Sequence, residues 1–257
     1  MTALVTGASS GIGEEFAKQL AAKGANLILV ARSEDALTRL AQSIREEFGV
    51  KAEVFVSDLS QELSPYELFD SVQKSALQVD LLVNNAGFGA RTRFEEGDPR
   101  LPQEMLAVNV HALVALTRLF LPGMLSRGTG GIINVASTAA FQPMPFLSLY
   151  AATKAFVLSF TEGLWGEYEK IGVRIFCLCP GNTRTQFHEK AKIKPRQIFL
   201  AAASEDVVRY GLKIFCRTDR PTAVYGAINK ILAQGYRLAP RKLVLKIVKL
   251  LYRGHLN

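Results

Sequence analysis

Short apolar runs and helical stretches alternate along this chain of 257 residues, and that alternation constrains its fold more than any other feature. Thr2–Thr6, Asn26–Ala31, Ala52–Val56, Asp80–Val83, Gly131–Ala136 and Val173–Cys179 have the β-branched and aliphatic character of strands. Between them, helices are expected from about Ile12 to Lys23, from Ser33 to Phe48, from Pro65 to Leu77, from Pro102 to Arg127 and from Tyr150 to Lys170. Ser33 is placed to cap the second helix, with Glu34 and Asp35 in the first turn, where the helix dipole favours acids. A run such as Leu27–Val30 is apolar at every position, which suits a strand covered on both faces. The expected class is α/β: one doubly wound domain over residues 1–257, a parallel sheet with helices on both faces.

Composition narrows the function. No apolar run reaches the roughly 18 residues of a bilayer span. The start, Met1 to Gly7, reads as a strand entering a turn and not as a secretory signal, so a cytoplasmic protein is expected. Cys177, Cys179 and Cys216 are too few for a disulfide framework. Cys177 and Cys179 share one strand face and read as core residues, and no metal site is expected. The net charge of +8 is uneven: from Arg237 onward there are six basic residues and no acid. Nucleic-acid binding is not expected, because no stacking aromatics or binding motif accompany the charge.

The first strand runs into Thr6-Gly7-Ala-Ser9-Ser10-Gly11-Ile12-Gly13, where a helix begins. Glycines there let the backbone turn tightly and approach a pyrophosphate, whose charge then sits at the helix N-terminus. Further along, Tyr150 and Lys154 are one helical turn apart, and Ser137 lies thirteen residues upstream of Tyr150. A phenol with a pKa of about 10 is a poor acid at neutral pH. A lysine ammonium beside it favours the phenolate and is expected to lower that value.

Together with Asn84-Asn85-Ala86-Gly87, Asn109 and Pro180-Gly181, these motifs resemble the short-chain dehydrogenases/reductases of the Tyr-x-x-x-Lys type over nearly the whole sequence. The resemblance extends to the subgroup that includes reductases of 3-oxoacyl chains and of steroid ketones. It implies a Rossmann-type domain and the catalytic residues Asn109, Ser137, Tyr150 and Lys154. Tyr150 would be the general acid, Ser137 would polarise the substrate carbonyl, and Lys154 would also hold the nicotinamide ribose. Asn109 would hold a water that relays protons to Lys154. Cofactor contacts are implied for Gly7, Ser9, Ser10, Gly11, Ile12, Gly13, Asp58, Leu59, Asn85, Ala86, Gly87, Pro180, Gly181, Thr183 and Thr185, besides Tyr150 and Lys154. Asn84 is also placed at the turn beside the adenosine ribose. The second strand ends in Ala31-Arg32 where an acid would accept from a ribose 2′-hydroxyl; a guanidinium suits a 2′-phosphate, so NADP(H) is favoured over NAD(H).

The expected reaction is reduction of a small ketone or aldehyde, including a possible 3-oxoacyl compound. An NADP(H)-binding sensor or scaffold is the alternative. Phe88 and the stretch Ala139–Phe146 suggest an apolar substrate wall. A lid is expected at about 186–204, where Lys192 and Lys194 would either receive an anionic acyl carrier or be solvated, the second being preferred. A homodimer or homotetramer is implied, with the helices at about 102–127 and 150–170 as the interface. At about 240–253 the sequence gives an amphipathic helix, with Lys242, Lys246, Lys249 and Arg253 on one side and Leu243, Val244, Ile247, Val248 and Leu251 on the other. Packing on the protein or a second subunit is its expected use, and an anionic membrane surface the alternative.

Overall fold

A computed structural model describes residues 1–185, 201–236 and 239–253. Strands β1 (Thr2–Thr6), β2 (Asn26–Ala31), β3 (Ala52–Val56), β4 (Leu81–Asn84), β5 (Gly130–Val135) and β6 (Val173–Cys179) alternate with α1 (Gly11–Ala21), α2 (Glu34–Phe48), α3 (Ser64–Lys74), α4 (Leu101–Leu106), α5 (Ala112–Arg127) and α6 (Ser148–Tyr168). Two two-residue strands follow, β7 (Thr183–Arg184) and β8 (Ala202–Ala203), paired with each other. The chain continues through α7 (Ser204–Arg217), β9 (Thr222–Val224), α8 (Ala227–Gly235) and α9 (Arg241–Arg253). All pairs in the main sheet are parallel, in the order β3-β2-β1-β4-β5-β6-β9.

The continuous apolar strands serve two cores. Ala3, Val5, Leu27 and Leu29 face α1, α2 and α7 through Phe16, Leu37, Ile44 and Val208. Their neighbours Leu4, Ile28 and Val30 face α3 and α5 through Leu68, Val72, Leu116 and Phe120. Side chains alternate across a strand, so a strand between two helical layers must be apolar at both parities.

The sheet order reverses at β1 and β4, and at such a switch the connections leave in opposite directions and open a crevice at the strands' carboxyl ends. Thr6 ties the two strands together there. Its hydroxyl donates to the Val83 carbonyl at 3.3 Å and accepts from the Asn85 and Ala86 amides, each at 3.0 Å.

Three expectations need correction. The stretch from Pro102 is not one α-helix: a π-helical turn, Ala107–His111, separates α4 from α5. Ser33 stands at the N-cap of α2, yet its side chain makes no cap hydrogen bond. Asn84 faces the interior, where its amide donates to Thr117 at 3.1 Å and to Asn134 at 2.9 Å. Leu101–Arg127 as a whole is also long and apolar enough to cross a bilayer by length and composition, with half of its apolar window buried in the protein. Its Asn109 and Thr117 join buried polar contacts, as expected of a core helix. The expected lid lies outside the described residues from 186 to 200, and residues 202–204 form β8 and the start of α7.

Candidate active site

A cleft of about 410 Å³ opens over the carboxyl ends of the sheet. Its phosphate-like end is the turn between β1 and α1. Gly7 and Gly11 adopt left-handed conformations, with φ of 65° and 61°. A Cβ on Gly13 would overlap the Gly7 carbonyl oxygen, so the helix meets the turn with no room for a side chain. The Ser10 carbonyl at the N-cap of α1 accepts from the Glu14 amide, but its side chain makes no cap hydrogen bond, which leaves N–H groups of Gly11, Ile12 and Gly13 for an anion. Gly13→Ala is therefore expected to cost about 3 kcal/mol, because backbone and not a flexible side chain must move. A denaturant midpoint equal to that of the parent protein would disprove this close approach.

Ser9, Ser10, Gly11, Ile12, Arg32, Asp58, Leu59, Asn85, Ala86, Gly87, Pro180, Gly181, Thr183 and Thr185 line the cleft with Gly7, Ser137, Tyr150 and Lys154. Gly13 and Asn109 do not line it and act from behind. Asn85 braces the turn, its amide donating to the Thr6 carbonyl at 2.9 Å and the Gly7 carbonyl at 3.3 Å. Arg32 is exposed at the rim and makes no hydrogen bond or ion pair with the described residues. Burial raises the pKa of Asp58, but hydrogen bonds from the Ser60 backbone and hydroxyl and the charge of Arg32 outweigh it, so the net shift is downward. The sequence reading missed Ser33, Ser57 and Ser60, which also line this end. Their place after the second and third strands was the only signal available.

At the other end β5 delivers Ser137 and the first turns of α6 deliver Tyr150 and Lys154. The Ser137 and Tyr150 hydroxyls are hydrogen-bonded. Lys154 is buried, donates to the Val135 carbonyl at 2.8 Å and lies 5.9 Å from the centre of the Tyr150 ring. Asn109, also buried, is clamped: it donates to the Phe88 carbonyl at 2.9 Å and to Thr153 at 3.0 Å, and accepts from the Phe88 amide at 3.0 Å. Gly87 fits between, since a Cβ there would stand 3.1 Å from the Asn109 oxygen and 3.2 Å from the Lys154 nitrogen.

The structure reverses the expected electrostatics. Desolvation pushes the Tyr150 pKa up to about 12, against the lowering effect of the Ser137 hydrogen bond. Lys154 contributes no resolved lowering, for it is itself desolvated and held down to about 8, with the Cys177 and Cys179 thiols opposing that shift. Phe88, Val108, Ala139, Met144 and Leu147 give this end apolar walls, with Glu104 and Gln142 as polar groups.

A glycine cradle at a helix N-terminus, set at the switch point of a doubly wound sheet and joined to a Ser/Tyr/Lys cluster, defines a nucleotide-binding protein with acid–base groups. Residues 1–195 match the short chain dehydrogenase family, and the chain belongs to that family. It is 35% identical to the very-long-chain 3-oxoacyl-CoA reductase of Anas platyrhynchos over 196 residues, 74% of this chain and 62%, less than two thirds, of the duck protein. Among solved structures it resembles a short-chain dehydrogenase from Sphingobium yanoikuyae in complex with NADPH, with a TM-score of 0.83, 31% identity and coverage of 92% and 93% of the two chains. L-sorbose reductase from Gluconobacter frateurii, complexed with NADPH and L-sorbose, gives 0.76 at 30% identity, covering 87% of this chain and 94% of that one.

Proposed function

We propose that the protein is an NADPH-dependent reductase of apolar ketones or aldehydes. The observation that carries this reading is the meeting of Ser137, Tyr150 and Lys154 in the same cleft as the glycine cradle and the exposed guanidinium of Arg32. The nicotinamide, when bound, supplies a hydride to the carbonyl carbon. The hydroxyl of Tyr150 donates its proton to the carbonyl oxygen, and Ser137 holds that oxygen by a hydrogen bond. Lys154, fixed by Val135, holds ribose hydroxyls and brings positive charge toward the phenol. Asn109 keeps α6 in register with the loop at Phe88, which is a positioning role. The apolar walls at Met144 and Leu147 favour a hydrophobic substrate, and a 3-oxoacyl chain is one such compound. A homodimer or homotetramer belongs to the same reading, with exposed Leu106 and Phe156 on the expected interface helices.

Arg32 supports NADPH over NADH, because its exposed guanidinium can pair with a 2′-phosphate. Arg32→Glu is expected to lower kcat/KM for NADPH by about 100-fold and to change NADH by under about threefold. Equal losses with both cofactors would remove this assignment. The activity itself is tested by NADPH oxidation with short ketones, steroid ketones, 3-oxoacyl-CoA and aldehydes. Turnover of an apolar carbonyl compound is expected. Tight NADPH binding with no oxidation across the panel would favour the sensor reading.

A further inference from the structure

The chain's positive charge and much of its exposed apolar surface come together at its C-terminal end. From Arg220 onward there are eight of the 31 basic residues and none of the 23 acidic ones, which is the whole of the net +8. The helices in this segment are turned outward. Ile228, Ile231 and Leu232 form an i, i+3, i+4 row on α8 that faces solvent, while Ala233 is buried and Asn229 donates to the Tyr225 carbonyl at 2.9 Å. On α9, Val244 and Val248 lean on Ala139, Met144, Leu147 and Tyr150. The adjacent i, i+4, i+7 row, Leu243, Ile247 and Leu250, is left open. The six residues of these two open rows are 49% to 76% exposed. Lys242, Lys246 and Lys249 are exposed beyond the open row of α9.

Among the described side chains of α9, two valines meet the expected packing on the protein and the row Leu243, Ile247 and Leu250 is left open; Leu251 lies outside the described side chains. We infer that the outer faces of α8 and α9 dock on the surface of an anionic lipid bilayer. The order of rows around α9, from protein contact to open apolar row to lysines, is that of a helix lying in a membrane interface. Thirteen residues are too few to cross a bilayer, and the Val244–Val248 contact holds the helix flat against the protein. A second copy is the poorer occupant: an isologous contact would press two wholly basic segments together. The surface lies directly behind the wall formed by Ala139, Met144 and Leu147, and Asn229 of α8 abuts Gly181 on the cleft's other side. Docking therefore brings the cleft to the lipid. Resting on the proposed reductase activity, the substrate class is a carbonyl compound that partitions into membranes.

The test is co-sedimentation of the full chain with vesicles of phosphatidylcholine alone or mixed with phosphatidylglycerol. Binding to the anionic vesicles, reduced by salt, is expected. The variant carrying Ile231→Ser, Leu243→Ser, Ile247→Ser and Leu250→Ser should bind at least about tenfold more weakly with unchanged thermal stability, since these side chains are exposed. Reversing Lys242, Lys246 and Lys249 to Glu should weaken binding by roughly 100-fold. Absent binding of the parent protein, equal binding by the Ser variant, or equal salt-insensitive binding to neutral vesicles overturns the inference. A dimer in light scattering that the Ser variant dissociates, without vesicle binding, assigns the face to a second copy and also overturns it. Vesicles should lower KM for a long-chain aldehyde and not for a short ketone. Vesicle binding with no carbonyl reduction at all would leave docking intact and remove only the proposed activity.

Discussion

Tyr150→Phe is expected to reduce kcat for carbonyl reduction by about 10³-fold while leaving NADPH affinity within about threefold. The substitution removes one oxygen and keeps the ring, which packs with Ala139, Leu147 and Ala151 beside Val244 and Val248. With its pKa pushed up to about 12, the phenol keeps its proton throughout the neutral range. In the proposed mechanism this is the proton passed to the carbonyl oxygen, and because so weak an acid transfers slowly, a phenol made more acidic by the bound cofactor is the expected companion of turnover. A spectroscopic titration of the cofactor-free protein checks the first part: subtracting the Tyr150→Phe curve should leave a phenol that ionises well above the ordinary value of 10.0. Full activity in the variant would sink the mechanism.

Lys154→Met should abolish reduction and at the same time stabilise the cofactor-free protein. The ammonium is buried, with the Val135 carbonyl as its hydrogen-bond acceptor, and its pKa falls from 10.5 to about 8. Burial is the cause, and the nearby Cys177 and Cys179 thiols offset only part of it. Below about pH 8 the lysine is charged in the folded and unfolded states alike, and the folded state carries the whole penalty, about 3 kcal/mol. Between about 8 and 10.5 the folded state sheds its proton first, so stability from this group rises with pH and the penalty disappears above that window. Methionine has similar length and no charge, but it leaves the Val135 carbonyl without its donor at about 1–2 kcal/mol. A net gain of about 1–2 kcal/mol at pH 7 follows, or roughly 3–6 °C in Tm. That gain should shrink by pH 10. A variant less stable than the parent at pH 7, by an amount independent of pH, would show that Lys154 is not held under electrostatic cost.

Much of this was legible without coordinates because each strand between two helical layers must be apolar at both parities. The inner strands β1, β2 and β4 follow that rule, while the edge strand β3 carries Glu53 and β6 an exposed Arg174; the ends of the first six strands differ from the expected ones by a residue at most. The last, Thr222–Val224, went unnoticed because three residues after a proline carry no periodicity of their own; its pairing with β6 makes it a strand. The helices α7 and α8 were also missed, and the apolar row of α8 points away from the core that would have explained it. Asn84 and Asn85 are adjacent in the same motif, yet only the position on β4 tells which one braces the cleft. Asn84 pairs across the sheet with Asn134 and turns inward, and Asn85 reaches Gly7. The π-helical turn at Asn109 had no local signal, since its clamp to Phe88 and Thr153 joins segments 21 and 44 residues away.

By itself the sequence determined the doubly wound sheet, the glycine turn and the Ser137, Tyr150 and Lys154 set, because strand parity, turn chemistry and the i, i+4 spacing of a helix are local geometry. Tertiary structure alone decided how readily the Tyr150 and Lys154 groups of that set ionise. The desolvation that raises Tyr150 comes from the Ala139, Met144 and Leu147 segment and α9 packed beside it, and that which lowers Lys154 from β5 and β6; it outweighs the pairwise attraction that one helical turn suggests. It also decided that, among the described side chains of α9, Val244 and Val248 meet the protein, because which rows of an amphipathic helix find a partner depends on the surface beneath it.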